Sequence, residues 1–436
     1  MPSAVRARLA VLLAVQCPAV LADAVADVTV LHVAVAATAK GSARARSLHD
    51  VAAVTDADGS AQRPYATLVE ARDAVRALRS DAARPQAAGA IRVLVHAGVY
   101  SPLSLTAADS GHGPGAPTVW EAAGDGPAVI SAGIELPSHL FRPSASHARA
   151  FEADLRAVGL TSYGSISALD TGCGNFIYSN RSAVYFNMQP LTLARYPNVA
   201  PDGTWNFAYI DHGGDSSFAV EPGEPVAARL PVWATEREPW LHGYWKYSWA
   251  DGYVPLTSAT ALVNGTVKVE VRKAGGEGGS QVMTGARFYG VNLLCELDAP
   301  GEFFIDDPSG TLYIIPPLGA GPPVQWPAGA VYVSKNATGL SLVNVSHVEL
   351  RGLTVHAAVH SGVAATGVES VVLDNLTVVG HGAHGIEMDG VNSGVVNSVV
   401  HSVGASGVRV TGGDTYTMTY GNMFVKYSHI HHVGLW

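Results

Sequence analysis

From residue 340 onward the chain repeats itself. "VELRGLTV" (348–355) aligns with "VVLDNLTV" (371–378), and "SGVAATG" (361–367) with "HGIEMDG" (384–390), both at an offset of 23. "SGVRVTG" (406–412) follows 22 residues later, and "NSVVHSVG" (397–404) returns as "YSHIHHVG" (427–434) thirty residues on, after a longer loop. Short apolar runs joined by Gly and Asn turns cannot each bury an apolar face alone, but stacked on one another they can. The period predicts a parallel β-helix, a solenoid with Leu350, Leu373 and Val395 in one column and Val355, Val378 and Val400 in another. Asn375 and Asn397 fall on one turn, where stacked side-chain amides extend the hydrogen-bond ladder.

The register set by Gly362, Gly385 and Gly407 sorts the strands between them. Side chains alternate across a strand, so Val363/Ile386/Val408 and Ala365/Met388/Val410 point inward. Ala364/Glu387/Arg409 and Thr366/Asp389/Thr411 then point to solvent. Strands about 4.8 Å apart set Glu387 beside Arg409, which predicts a surface ion pair. Asp389 has only threonines for neighbours and is the carboxylate better suited to chemistry or sugar binding. His381 and His384 are expected at the turn before the strand. Their spacing to other ligands does not match a metal site, so no metal and no cofactor is predicted.

Composition agrees with a β-rich chain. Only 14% of the 436 residues are charged, whereas Gly and Pro number 47 and 25. A thinly spread net charge of −9 leaves no basic surface for nucleic acid. "MPSAVRARLAVLLAVQCPAVLADAVA" sets Arg6 and Arg8 before an apolar stretch to about Ala22, the plan of a secretory signal peptide (1–24) and too short for a spanning helix. The expectation is a secreted protein with no membrane span. Cys17 would leave with the signal; Cys173 and Cys295 remain either as one disulfide or as two separate thiols. Five N-x-S/T sequons, at Asn180, Asn264, Asn336, Asn344 and Asn375, are compatible with a glycoprotein.

A low-complexity leader is assigned to 25–55. "RPYATLVEARDAVRALR" follows as the clearest helix, with Thr67 and Glu70 as a capping box and Leu68, Ala71, Val75 and Leu78 on one face. "IRVLVHAGVY" (91–100) reads as a strand ending in a Gly turn, and 117–133 as two short strands around Gly-Asp-Gly. Residues 56–133 are thus taken as a cap and the first repeats. Residues 134–330 break the rhythm and read as an inserted β-rich domain, with a hairpin about Asp-Pro-Ser-Gly in "GEFFIDDPSGTLYIIPP" (301–317). In "WLHGYWKYSWADGY" (240–253), Trp240, Trp245 and Trp249 form either a sugar-stacking platform or core packing. Residues 331–436 supply the remaining repeats.

On these motifs the chain resembles secreted right-handed parallel β-helix proteins of the pectin-lyase-like superfamily, glycoside hydrolases among them. "DGSAQRPYATLVEARDAVRAL" with "VLVHAGVY" is similar to the group's N-terminal cap and first coil. "LTLARYPN" (191–198) and "LDAPGEFFIDDPSGTLYIIPP" (297–317) resemble its inserted β domain, and "RVTGGDTYTM" with "YSHIHHVGLW" a mid-helix coil and its return. The resemblance implies an all-β fold, a right-handed parallel β-helix with a capping helix and an inserted domain, and carbohydrate chemistry by exposed carboxylates. Asp389 and Asp414 are the available carboxylates, with His401 and Arg409 nearby; Trp245 and Trp249 would stack on sugar. In relatives further coils follow the segment like "SHIHHVGLW", so either a partner or missing coils are expected to cover the C-terminal end. Enzymatic activity is left open. The readings are a glycoside-hydrolase relative acting on cell-wall polysaccharide, a non-catalytic polysaccharide-binding or matrix protein, and, last, a polysaccharide lyase, which would need an acidic, calcium-type cluster that the sequence lacks.

Overall fold

The computed structural model describes residues 28–35, 57–81, 89–166, 180–272, 281–317 and 326–435. The expected signal peptide, most of the leader, Cys17, Cys173 and Trp436 lie outside them. Among the described residues α-helix is confined to Leu68–Ser80 and Leu230–Trp233, and the rest of the regular structure is overwhelmingly strand. No helix among them is long and apolar enough to cross a membrane.

The chain returns in rotation to three sheets. The first contains, in spatial order, Thr29–Val33, Ile91–Val95, Thr118–Ala122, Val348–Arg351, Val372–Asp374, Gly394–Val396 and Phe424–Lys426, every neighbouring pair parallel. The second contains Gly98–Tyr100, Ala128–Ser131, Thr354–Ala358, Thr377–His381, Val399–Val403 and His429–Val433, again all parallel. The third runs Leu103–Thr106, Thr338–Val343, Ser361–Glu369, Ile386–Val391 and Val408–Asp414 in parallel, and Thr419–Tyr420 folds back antiparallel on its last member. One apolar core lies among the three sheets, from Leu31 to Val400. The helix Leu68–Ser80 packs on that core through Leu68, Ala71 and Val75, with both hydrogen bonds of its Thr67–Glu70 capping box formed.

Two of the inward columns read from the repeat are present. Leu350 pairs with Leu373 and Leu373 with Val395; Val355, Val378 and Val400 form a second column. The glycines at 362, 385 and 407 have a steric reason. A Cβ on Gly385 would overlap Val400 Cγ1 and the Gly407 carbonyl, and a Cβ on Gly407 would overlap Ile430. The corner passes too close to the next repeat for any side chain.

Other expectations need correction. The leader contains a strand, Thr29–Val33, whose Leu31 and Val33 are buried beside Ile91–Val95. Its alternation was hidden in an Ala/Val-rich stretch. "IRVLVHAGVY" forms two strands in different sheets, turning the corner at His96 and Ala97. Asn375 and Asn397 do not stack as amides: Asn397 Nδ2 donates to Asp374 Oδ1 at 2.8 Å. What the two share is a left-handed backbone, φ 53° and 52°, which Asn tolerates better than most residues. An amide rung does form one turn away, Asn422 Nδ2 to Asn392 Oδ1 at 2.9 Å.

Between the strands Ala128–Ser131 and Thr338–Val343 the chain leaves this rotation and builds three further, mostly antiparallel sheets. One joins Gly133–Leu136 to Val331–Ser334, so the excursion starts and ends on paired strands. A second holds the hairpin Glu302–Asp306 and Thr311–Ile314, with Asp307–Gly310 at its turn as expected. The third centres on Trp240–Gly243 and Arg287–Val291. The first two share one apolar cluster and the third has its own.

Candidate functional site

The outer face of the third sheet carries the polar groups that the repeat brings together. Ile386 and Met388 are buried, and Glu387 and Asp389 alternate with them on the opposite face. Glu387 lies beside Arg409 in the register. Its Oε1 is 3.7 Å from Arg409 Nη1 and 3.3 Å from His384 Nε2. Its Oε2 accepts the hydroxyl of Ser361, one strand below, at 2.6 Å. The expected ion pair is therefore present as one edge of a larger cluster. Asp389 accepts the Thr411 hydroxyl at 2.9 Å and is otherwise open to solvent.

Thr366 does not face Asp389 alone. The pairing slips between Ala365 and Val368, setting Thr366 and Gly367 opposite one residue, and Gly367 has φ +63°. This β-bulge sets Asp389 against Thr366 and Gly367 on one side and Thr411 on the other. Two residues apart on one strand face, Glu387 and Asp389 stand about 6.6 Å apart along the backbone.

Of the two histidines expected at the turn before the strand, His384 lies there and His381 does not, and both are buried. His381 ends the strand Thr377–His381 and is fully buried. Its Nδ1 accepts the Ala358 amide at 3.1 Å, and its Nε2 lies 3.2 Å from the Val355 carbonyl. Burial, then the neighbouring His356, lowers its pKa to about 3. His384 is also buried; burial lowers its pKa, while Glu387 pulls it up and Arg409 pushes it down. Among the described residues no three His, Cys, Asp or Glu side chains are placed to hold a metal ion.

The remaining expected residues separate. Asp414 lies three positions beyond Thr411, about 10 Å along the strand. Its Oδ1 accepts the amides of Tyr416 and Thr417, and these bonds hold its pKa below the usual value. That is a turn-capping role, and Asp414 is not placed beside Asp389 as a pair. Trp245 is 3% exposed, and its indole N–H donates to the Gly252 carbonyl at 2.9 Å, so it offers no face to a sugar. Trp249 is 68% exposed and stacks on Tyr247 with centroids 5.1 Å apart and planes 13° from parallel. Tyr247, which the sequence reading passed over, is thus the second half of an exposed aromatic pair. Cys295 carries a free, exposed thiol.

No protein-family model matches this chain, and no curated protein matches it. Among solved structures it is similar to one described as "Glycoside hydrolase", with 15% sequence identity and a TM-score of 0.62 over 93% of this chain and 74% of that one. At that identity the likeness establishes a shared β fold. A second, "The complex structure of XylC with xylose", has 11% identity and covers 93% of this chain and 58% of that one. Its TM-score of 0.33 is too low to bear on this chain.

Proposed function

We propose that the three sheets are the walls of a right-handed parallel β-helix interrupted by an inserted β domain, and that the chain is a secreted, carbohydrate-active protein of the glycoside-hydrolase type acting on cell-wall polysaccharide. The handedness rests on the strong preference of parallel crossovers for the right-handed sense, about 98%. Secretion rests on the charged and apolar pattern of residues 1–24. The observation that carries the sugar-directed reading is the pairing of Glu387 and Asp389 on one open face, flanked by Arg409, Thr411 and Ser361.

Hydroxyl, guanidinium and carboxylate groups on a flat strand face can hold a polyhydroxylated chain, and two carboxyls can divide acid and base roles at a glycosidic bond. The reading is tested by assaying Glu387→Gln and Asp389→Asn on pectic and hemicellulosic polysaccharides, with release of reducing ends and binding measured together. Loss of hydrolysis by a factor of about 100 or more in each variant, with binding retained, supports catalysis. Hydrolysis unchanged in both variants removes the pair from any catalytic role.

A second reading, polysaccharide binding without catalysis, is favoured by one feature: the Glu387 carboxylate is already engaged by Ser361, His384 and Arg409. Under it, the wild-type protein retards in polysaccharide gels without hydrolysing them, and both variants weaken that retardation.

A further inference from the structure

Among the described residues, a buried guanidinium in the inserted segment has no anion in contact with it. Arg195, on the strand Arg195–Tyr196, is 1% exposed. Its Nε donates to the Pro197 carbonyl at 2.9 Å and its Nη2 to the Asn206 carbonyl at 2.8 Å. Its plane lies over the rings of Tyr289 and Trp205, 3.6 and 4.4 Å from their centroids. Nη1 is buried and has no hydrogen-bond partner. The nearby Glu302 does not serve: its oxygens accept the backbone amides of Arg195, Asp298 and Ala299, and it makes no ion pair with the guanidinium. Arginine stays protonated even when buried, so this is a fixed charge taken out of water without a counter-charge in contact, an expensive arrangement unless something supplies one.

The guanidinium lines a cavity of about 270 Å³, whose other walls include Tyr253, Tyr289, Val291, Phe303 and Leu193. This is just below the range of drug-sized ligand sites, about 300–1,000 Å³, and suits one small ring or a short acid. Arg181, which also borders the cavity, is bound by Asp307 at 2.6 Å. One free guanidinium nitrogen between aromatic faces suits a monoanion; a sulfate or phosphate would call for more donors. We propose that this cavity binds the carboxylate of a small organic acid or of a uronic-acid residue, with Arg195 Nη1 as its partner. The site is distinct from the Glu387–Asp389 face and does not depend on the function proposed for it.

The test is calorimetric titration of the full chain with sodium D-glucuronate, sodium acetate and D-glucose at equal ionic strength. Two variants accompany it: Arg195→Met, and Val199→Phe, which fills the cavity from its wall and leaves Arg195 intact. We expect glucuronate to bind at least tenfold more tightly than glucose, and both variants to weaken it at least tenfold. Because Arg195 also ties the backbone, Val199→Phe with an unchanged melting temperature is the decisive variant. Acetate binding as tightly as glucuronate identifies a free carboxylate as the ligand; glucuronate alone identifies an acidic sugar. Equal affinity for glucose and glucuronate, no binding of either carboxylate, or full affinity in Val199→Phe overturns the proposal. The sheet face is read by hydrolysis in its own variants and this cavity by Val199→Phe, so failure here and failure of the sheet-face reading are separable.

Discussion

At the residue scale, the same side-chain type plays opposite parts a few positions apart. Trp245 and Trp249 look alike in sequence, yet one fills a core and the other stands in solvent against Tyr247. Trp245→Ala should destabilise the chain by about 3–5 kcal/mol in urea unfolding, as expected for a large aromatic removed from a packed site. Trp249→Ala should leave the midpoint nearly unchanged, and if the exposed pair contacts sugar it should weaken polysaccharide retardation. Gly385→Ala addresses the repeat itself. Its new methyl would meet Val400 and the Gly407 carbonyl, and the loss should be about 1–3 kcal/mol or more, because one of the listeners to that contact is rigid backbone. A stability within about 0.5 kcal/mol of wild type would mean that the corner relaxes.

At the element scale, periodicity was legible wherever the period-2 alternation ran uninterrupted. The columns Leu350–Leu373–Val395 and Val363–Ile386–Val408 could be read off because their inward residues are apolar and the corners beside them at 362, 375, 385, 397 and 407 carry Gly or Asn. The bulge at Thr366–Gly367 was not legible. An extra residue changes neither the composition nor the Gly that follows it, yet it makes Thr366 share the place opposite Asp389 with Gly367. The helix cap was fully readable, since Thr67 and Glu70 satisfy orphan amides within one turn. Thr67→Ala should lower stability by about 1 kcal/mol, measured as a shift in the unfolding midpoint.

At the scale of the whole molecule, buried titratable groups set the response to pH. His356 is fully buried between Tyr185 and Tyr332, neither ring nitrogen has a hydrogen-bond partner, and burial lowers its pKa to about 4. His381 is lowered to about 3. Both histidines bind protons more readily in the unfolded chain, whose value is near 6.5. Stability is therefore fully present above about pH 6.5 and is lost as the pH falls toward 4 and 3. Glu302 works in the other sense. Burial raises it to about 7, so its contribution fades as the pH rises from about 4.5 through 7. Two histidines, one shifted as far as the glutamate and one further, outweigh it, and the melting temperature should fall from pH 7 to pH 5. In His356→Leu, which replaces an unpartnered imidazole with an apolar side chain, that fall should be shallower. An identical slope in the variant would assign the acid sensitivity elsewhere.

What the sequence determined by itself was the stacking: the period near 22, the inward columns, the glycine corners and the face on which Glu387 and Asp389 stand. These depend on neighbours one repeat away, and a repeat carries its neighbour's pattern within itself. Only the tertiary structure decided which polar groups serve function and which serve the fold. Asp414 became a turn cap and Trp245 a core residue because of residues the repeat does not encode. The Arg195 cavity lay wholly beyond reach of the sequence. A charge left without a partner is visible only after strands 195–196, 252–261, 287–291 and 302–306, distant along the chain, have closed around it.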